Sequence, residues 1–285
     1  MASWRKLGVI AGGGELPVVL AEHLAATQRP YFIARIAPLA DPALERHPGA
    51  AFGLGAMGAR MHALREAGCD TVVLLGQVPR PDLRTLDLDD VARAMLPALI
   101  AAMPQGDDAL LRAVLAEHER AGFSVVGAEQ VMAELLAPAG AWGAASPTPQ
   151  QAADIGKAAK VAAAVGGFDI GQGVVVCDGL VLAVEAQEGT DAMLKRVAEL
   201  PLAVRGAPQA RRGVLLKRPK PIQERRIDLP TIGVRTIEGA AAAGLAGVAV
   251  EAGGALAVRR PDIIAAADRA GMFVYGFTRA EMGET

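Results

Sequence analysis

The sequence predicts two α/β units: a parallel-sheet domain followed by a mixed α+β domain. Three observations predict this. The chain has 285 residues, and at roughly 150 residues per domain that is enough for two separate cores. Its first half alternates short apolar runs with segments of helical spacing, the pattern of strands joined by crossover helices. Its second half carries Asp178-Gly179 between two apolar runs, a two-residue hairpin signal that a purely parallel sheet does not use.

Leu7 to Ala11 reads as a buried strand, and Glu15 to Ala26 is helical, with Leu16, Val19, Leu20 and Leu24 on one stripe. Tyr31 to Ile36 is a second strand. Met57 to Ala67 is a helix closed by Gly68, and Thr71 to Leu75 is a third strand ending at Gly76-Gln77. Leu88 to Ile100 and Ala109 to Arg120 are helical, and Asp107 or Asp108 is placed to cap the second. Phe123 to Gly127 is a fourth strand and Glu129 to Leu136 a last helix. This order gives a Rossmann-like domain over 1–140.

From Ala137 to Pro149 the text turns to Ala, Gly, Pro, Ser and Thr, so 141–149 is read as a linker and 150–285 as the second domain. Gln150 to Val165 is an Ala-rich helix ending at Gly166-Gly167. Gly173 to Cys177 and Leu180 to Ala186 form the hairpin, Met193 to Glu199 is helical, and Gly213 to Lys217 is a strand. Ile237 to Ala243 is a helix, followed by strands at Gly247 to Glu251 and Ala255 to Val258. Pro261 to Ala270 is a helix with Pro in its first turn, and Met272 to Phe277 is the closing strand.

Composition removes several function classes. With 29 Lys+Arg against 31 Asp+Glu the net charge is −2, and the pI near 6.1 argues against nucleic-acid binding. Aromatics at 4% leave no stacking platform for single strands. Cys69 and Cys177 stand alone in apolar runs, which opposes a structural zinc site and suits a reducing cytoplasm. The N-terminus shows no signal-peptide pattern. Gly239 to Val258 is apolar apart from Glu251, but Gly253-Gly254 and the lack of large side chains mark helix, strand and turn rather than a membrane span. Three of the four histidines, His23, His62 and His118, lie on helices, with Glu117-His118-Glu119 reading as a solvated face.

Gly12-Gly13-Gly14-Glu15 follows a strand and opens a helix, where backbone N–H groups can approach a phosphate. Pro17 stands where a dinucleotide fingerprint would have its third glycine, so a tight turn without ligand is an equal reading. Gly76-Gln77 faces the same sheet edge. The second half is more pointed. Asp178 to Asp191 holds four acids and no base, whereas Arg205 to Arg226 holds eight bases and one acid. The plain reading is two exposed charged loops. Against it, Glu188-Gly189-Thr190-Asp191 offers hard oxygens suited to Mg²⁺. Lys217-Arg218-Pro219-Lys220-Pro221 is stiffened by prolines, and Asp228 returns a carboxylate beside Arg226, which favours its ionised form.

Taken together, LGVIAGGGELP at 7–17, GQVPRP at 76–81, FDIGQGVVV at 168–176, VEAQEGTDAMLKR at 184–196 and LLKRPKPIQERRIDLPTIG at 215–233 resemble the LpxI-type UDP-2,3-diacylglucosamine pyrophosphatases. The resemblance runs from about Leu7 to Tyr275. Glu224 departs from it, since many relatives have Asp there, and Ala2-Ser3-Trp4 reads as an N-terminal addition. The resemblance implies a Mg²⁺-dependent hydrolase of lipid A biosynthesis that splits UDP-2,3-diacylglucosamine into UMP and 2,3-diacylglucosamine 1-phosphate (lipid X). It further implies two domains with substrate between them, a homodimer, and a cytoplasmic enzyme in peripheral contact with the inner membrane.

On this reading Asp228 is the first catalytic carboxylate, as metal ligand or water-orienting base, with Lys217 and Lys220 acting on the diphosphate. Glu188 and Asp191 are metal ligands alongside Asp228, with Glu185 in reserve. Gly12, Gly13, Gly14, Gln77, Gln172, Thr190, Gln223 and Arg226 bind substrate. Two rivals are a nicotinamide-dependent oxidoreductase, which lacks the acid expected after the second strand, and a non-catalytic nucleotide or lipid sensor.

Overall fold

The structure, a computed structural model, describes residues 4–284; Ala2 and Ser3 of the apparent N-terminal addition lie outside them. The chain forms two compact units. One holds residues up to Ala133 together with Glu224–Asp228, and the other holds Glu134–Gln223 and the chain from Leu229 onward. The division thus falls before the Ala/Gly/Pro tract rather than within it, and a five-residue excursion belongs to the first unit.

The first unit is a five-stranded parallel sheet of β1 (Leu7–Ala11), β2 (Tyr31–Ala37), β3 (Gly49–Gly53), β4 (Thr71–Leu75) and β5 (Ser124–Val125), in the order β3-β2-β1-β4-β5. Strand order reverses at β1, so the crevice past the carboxyl ends of β1 and β4 is the switch point where such sheets receive ligands. Strand residues alternate between faces. Ile10, Ala34, Ile36 and Val72 pack on Met57, Met61 and Leu64 of α2 (Met57–Glu66), on Ala92 and Met95 of a helix at Asp90–Ala102, and on Leu115 of one at Asp107–Arg120. Leu7, Val9, Ala11, Ile33 and Val73, on the opposite face, are fully buried. In chain order the unit's helices are α1 (Leu16–Ala26), α2, α3 (Asp90–Ala102), α4 (Asp107–Arg120) and α5 (Ala128–Val131).

Three local differences have physical causes. Gly-Ala-Ala-Phe-Gly at 49–53 has poor strand propensity and was not expected as a strand, yet pairing with β2 makes it one, and a Cβ at Gly49 would lie 2.1 Å from the Ile33 carbonyl oxygen. The expected strand at 123–127 and helix at 129–136 shrink to β5 and to the single turn α5 followed by a 3₁₀ turn. Asp107 and Asp108 do not cap α4; Gly106, at φ +117°, takes the cap position and both acids lie inside the first turn.

The second unit is a six-stranded mixed sheet ordered β6-β13-β11-β9-β7-β8. Its strands are β6 (Gly140–Ala141), β7 (Gly173–Cys177), β8 (Leu180–Val184), β9 (Val214–Lys217), β11 (Gly247–Glu251) and β13 (Phe273–Phe277), while β10 (Thr231–Ile232) and β12 (Leu256–Ala257) form a separate parallel pair. Asp178 (φ +48°) and Gly179 (φ +79°) make the expected hairpin turn. The Ala-rich α6 (Pro149–Gly166) lays Ile155, Ala158, Ala159 and Ala162 against Val174, Val176, Val214 and Leu216. The other face of the sheet packs on α7 (Gly189–Glu199), α8 (Val234–Ala242) and α9 (Arg260–Ala270) through Met193, Leu194, Ile237, Ala240 and Ile263. Part of the tract read as a linker is ordered by this sheet: Ala141 pairs with Tyr275, and the Trp142 amide donates to the Val274 carbonyl at 3.0 Å. Among the described residues no helix is long and apolar enough to cross a membrane. Both cysteines are free and buried, and burial pushes each thiol up to about 11, which leaves them chemically quiet.

Candidate active site

At the switch point of the first unit the glycine turn closes on its own backbone. The Gly12 amide donates to the Leu75 carbonyl at 2.8 Å, and Gly13 and Gln77 exchange two main-chain bonds of 2.9 and 2.8 Å. A Cβ on Gly76 would sit 2.5 Å from the Gly13 oxygen, so these glycines serve a close approach of β1 and β4. The amides of Gly12 and Gly13 are spent there and do not form a phosphate cradle. Gly14 (φ +91°) faces open space, with nothing within 4 Å of where a Cβ would stand. β2 itself ends in Arg35-Ile36-Ala37 with no carboxylate for a ribose, and Asp41, four residues on, accepts from the Ala43 amide at 2.8 Å to cap a 3₁₀ turn.

The carboxyl edge of the second sheet is built from side chains instead. Parallel β9 and β11 end there at Lys217 and Glu251, antiparallel β7 begins there, and β8 delivers Glu185. Gly173 is the cross-strand partner of Lys217, and its carbonyl accepts from the Glu185 amide at 2.8 Å. A Cβ on Gly171 or Gly173 would stand 1.9 Å from the Glu185 carbonyl oxygen or 2.5 Å from its Oε2. The Gly-Gln-Gly run is therefore what lets this carboxylate sit against the strand. Glu185 is buried; Oε1 accepts from the Thr190 hydroxyl at 2.7 Å, and Oε2 has no partner. Lys217, 5% exposed, has one long bond of 3.4 Å from Nζ to the Thr231 carbonyl. Buried Gln223 reaches Gln172 at 3.4 Å and accepts from the Lys220 amide at 2.8 Å.

Other expected residues are committed elsewhere. The Lys220 ammonium is 2.5 Å from the buried carboxylate of Asp169. Glu188 pairs with Arg196 at 2.5 Å, which together with backbone hydrogen bonds holds its carboxyl below the usual range, and Asp191 pairs with Arg235 at 2.6 Å. Those two acids thus face different arginines, and among the described residues no three His, Cys, Asp or Glu side chains converge as a metal cluster. Arg218 is locked by Glu251 at 2.9 Å and Glu284 at 2.6 Å.

Asp228, half-buried, ends the excursion that packs with the first unit. Its anchor is Glu224. Glu224 bonds Arg226 at 2.9 Å, Arg226 also reaches Glu119 at 2.8 Å, and the Glu224 amide donates to Asp108 at 2.6 Å. The guanidinium pulls the Glu224 carboxyl below its usual range, and the paired acids raise Arg226 in turn. Arg226 therefore fastens the excursion before it can serve a substrate.

Sequence reasoning missed a cavity in the first unit. It encloses about 280 Å³ between α2, α3, α4 and the ends of β1 and β4, and is lined by Ile10, Met57, Leu74, Met95, Val114 and Ile227, among others. Arg60 and His118 also line it. His118 was expected on a solvated face and is instead fully buried; α4 turns that one position of an acid-rich face toward the sheet. The signal was weak because a single histidine between two glutamates carries no periodicity.

Comparison with known proteins agrees with these motifs. Residues 6–135 match the model of the LpxI N-terminal domain and residues 138–275 that of the LpxI C-terminal domain. The chain belongs to the LpxI family. A relative from Caulobacter vibrioides, UDP-2,3-diacylglucosamine pyrophosphatase LpxI, is 57% identical over 272 residues, spanning 95% of this chain and 97% of its own. A solved CobK precorrin-6A reductase covers 98% of both chains at 14% identity, with a TM-score of 0.32 that carries no argument. The boundary between the two LpxI models, at 135–138, falls close to the structural division at Ala133.

Proposed function

We propose that this LpxI-family chain is a pyrophosphatase of lipid A biosynthesis that hydrolyses UDP-2,3-diacylglucosamine to UMP and lipid X. The observation that carries the reading is the near full-length, 57% identity to a relative named for that substrate. The edge of buried Lys217, Glu185 and Gln223 with half-buried Thr190 and Gln172 supports it, because a diphosphate needs donors and positive charge held in place before the charge shifts. Water adds to one phosphorus, the P–O bond of the bridge breaks, and the bridging oxygen leaves on the other phosphate. Asp228 accepts the proton of the attacking water, Lys217 donates to a phosphate oxygen, and Gln172, Gln223 and Thr190 orient the head group. Lys220 contributes once its pairing with Asp169 is shared with substrate.

Mg²⁺ dependence belongs to the same proposal. Mg²⁺ commonly takes one or two carboxylates and fills its octahedron with water and substrate oxygens, so a ready-made protein cluster is not required. The unpartnered Oε2 of Glu185 fits that role; Glu188 and Asp191 would first release Arg196 and Arg235, and Asp228 is the remaining carboxylate proposed as a ligand. Bound Mg²⁺ would supply positive charge to the diphosphate. Phe168, Ile170 and Ile222 are exposed apolar side chains on the stretches leading to Gln172 and Gln223. They support peripheral contact with the cytoplasmic face of the inner membrane, where a diacyl substrate resides, and the active species is taken as a homodimer. The apolar cavity of the first unit takes an acyl chain.

The test is UMP release from UDP-2,3-diacylglucosamine by purified protein, with and without chelation. Release that stops with EDTA and returns with Mg²⁺ is expected. No release under any divalent ion ends the hydrolase reading, and full release after exhaustive chelation ends the metal reading.

A further inference from the structure

The excursion Glu224–Asp228 lies along one charged stripe of α4. At about 3.6 residues per turn, Asp108, Arg112 and Glu119 leave that helix within about 40° of one another. The stripe reads acid, base, acid, and the excursion meets each in turn. The Glu224 amide donates to Asp108 Oδ1 at 2.6 Å, and Arg112 faces the Glu224 carboxylate at 3.8 Å. Arg226 Nη1 donates to Glu119 Oε1 at 2.8 Å. Asp108 is buried and also accepts from Arg112 Nε at 2.5 Å. Its carboxylate thus serves a segment 116 positions later in the chain.

A second set of bonds runs from that anchor to Asp228. The Glu224 carbonyl accepts from the Ile227 amide at 3.2 Å and the Asp228 amide at 3.3 Å, so one residue ties the Asp228 main chain to Asp108. The Glu224 carboxylate closes the same turn, receiving Nε of Arg226 at 3.0 Å, Nη2 at 2.9 Å and the Arg226 amide at 3.2 Å. Ile227, between Arg226 and Asp228, packs on the apolar cluster of the first unit. All three nitrogens of the Arg226 guanidinium therefore donate to carboxylates, and two acids oppose its single charge. A guanidinium that holds a diphosphate needs its planar fork open to phosphate oxygens. This fork is filled.

We infer that Asp108, Glu224 and Arg226 are positioning residues that hold the Asp228 carboxylate in place for the attacking water, and that Arg226 is not a ligand of the diphosphate. The inference rests on the proposed hydrolase reading, which makes Asp228 the proton acceptor. A base displaced by about 1 Å can lose on the order of 10² in rate without any change in substrate affinity. The clamp therefore acts on kcat, whereas a diphosphate ligand acts on KM as well.

Steady-state UMP release by the full-length protein and its variants tests this. Arg226→Gln is expected to lower kcat by about ten- to a hundredfold, with KM within about twofold and circular dichroism unchanged. In an Asp228→Ala background the same substitution should cost nothing further, because a residue that acts through Asp228 has nothing left to position. Asp108→Asn keeps an acceptor for the Glu224 amide and should retain about tenfold more kcat than Asp108→Leu. The Arg226 variants decide the question even where Asp108→Leu does not fold. A tenfold rise in KM at unchanged kcat overturns the proposal, as does a further tenfold loss when Arg226→Gln is added to Asp228→Ala; either makes Arg226 a diphosphate ligand. Unchanged kinetics in Arg226→Gln, or near-normal turnover of Asp228→Ala itself, overturns it as well. No UMP release by the wild type ends the hydrolase reading and this inference with it. The clamp's own failure is distinct, because there the wild type stays active.

Discussion

The carboxyl ends of the two sheets solve the same topological problem in opposite ways. In the first unit the crevice at β1 and β4 is sealed by main chain, Gly12 and Gly13 bonding to Leu75 and Gln77, and the space beside it is apolar. In the second unit the edge is held open by side chains, with Gly171 and Gly173 clearing room for Glu185 beside Lys217. Glycines occur at both edges, but in one they let backbone meet backbone and in the other they let a carboxylate meet a strand. A glycine-rich turn after a strand therefore does not by itself identify a phosphate site. What matters is which polar groups are left over once the turn has closed.

The contrast is most exposed at Lys217 and Asp228. Lys217→Met or Asp228→Ala should lower kcat by about 10³ with far-UV circular dichroism unchanged, as expected when a transition-state contact is lost. Near-normal turnover in either folded variant would strip the charged edge, or the excursion, of its catalytic part. Lys220 should behave differently from Lys217, since it already neutralises Asp169. Lys220→Met removes the ammonium paired with a buried carboxylate and should cost about 3–5 kcal/mol in chemical denaturation. Adding Asp169→Asn should restore most of that stability and of the turnover. A stable double variant that remained inactive would return Lys220 to direct work on the diphosphate.

The apolar side of the comparison can be broken by pH. His118 is depressed to about 4 in the folded state from a usual 6.5. The unfolded chain therefore binds the proton first. Its contribution is complete above pH 6.5 and is lost as pH falls through 4, on the order of 3 kcal/mol in all. Urea midpoints of the wild type should fall more steeply over that window than those of His118→Gln, and parallel curves would mean that the imidazole is not buried neutral. The smallest effect is expected at Asp191, whose carboxylate is 54% exposed in its pair with Arg235. Asp191→Asn should cost less than about 1 kcal/mol and change turnover only a few-fold. A collapse of Mg²⁺-dependent activity in that variant would move the metal from Glu185 to the start of α7.

Much of this was legible in the residues. The strands Leu7–Ala11, Thr71–Leu75, Gly173–Cys177 and Gly247–Glu251 lie where apolar runs and flanking turns put them, because a strand buried on both faces must be continuously apolar. Asp178-Gly179 made its turn, since the primed turn requires positive φ at both positions. The family motifs were likewise readable as local text.

The tertiary structure decided which polar groups stay uncommitted. Lys217 and Lys220 look alike in sequence, and only the approach of Asp169 separates them. Glu188 and Asp191 form an inviting oxygen pair until Arg196 and Arg235 arrive. His118 sits between two glutamates and is turned inward by the packing of α4, while Arg60 enters the same cavity from α2, 58 positions earlier in the chain. Periodicity and propensity are properties of a few consecutive residues, so sequence determines elements and their apolar faces. Ion pairs, burial and orphaned hydrogen-bonding groups depend on what distant segments bring within about 3–4 Å, and that is set only when the chain has packed.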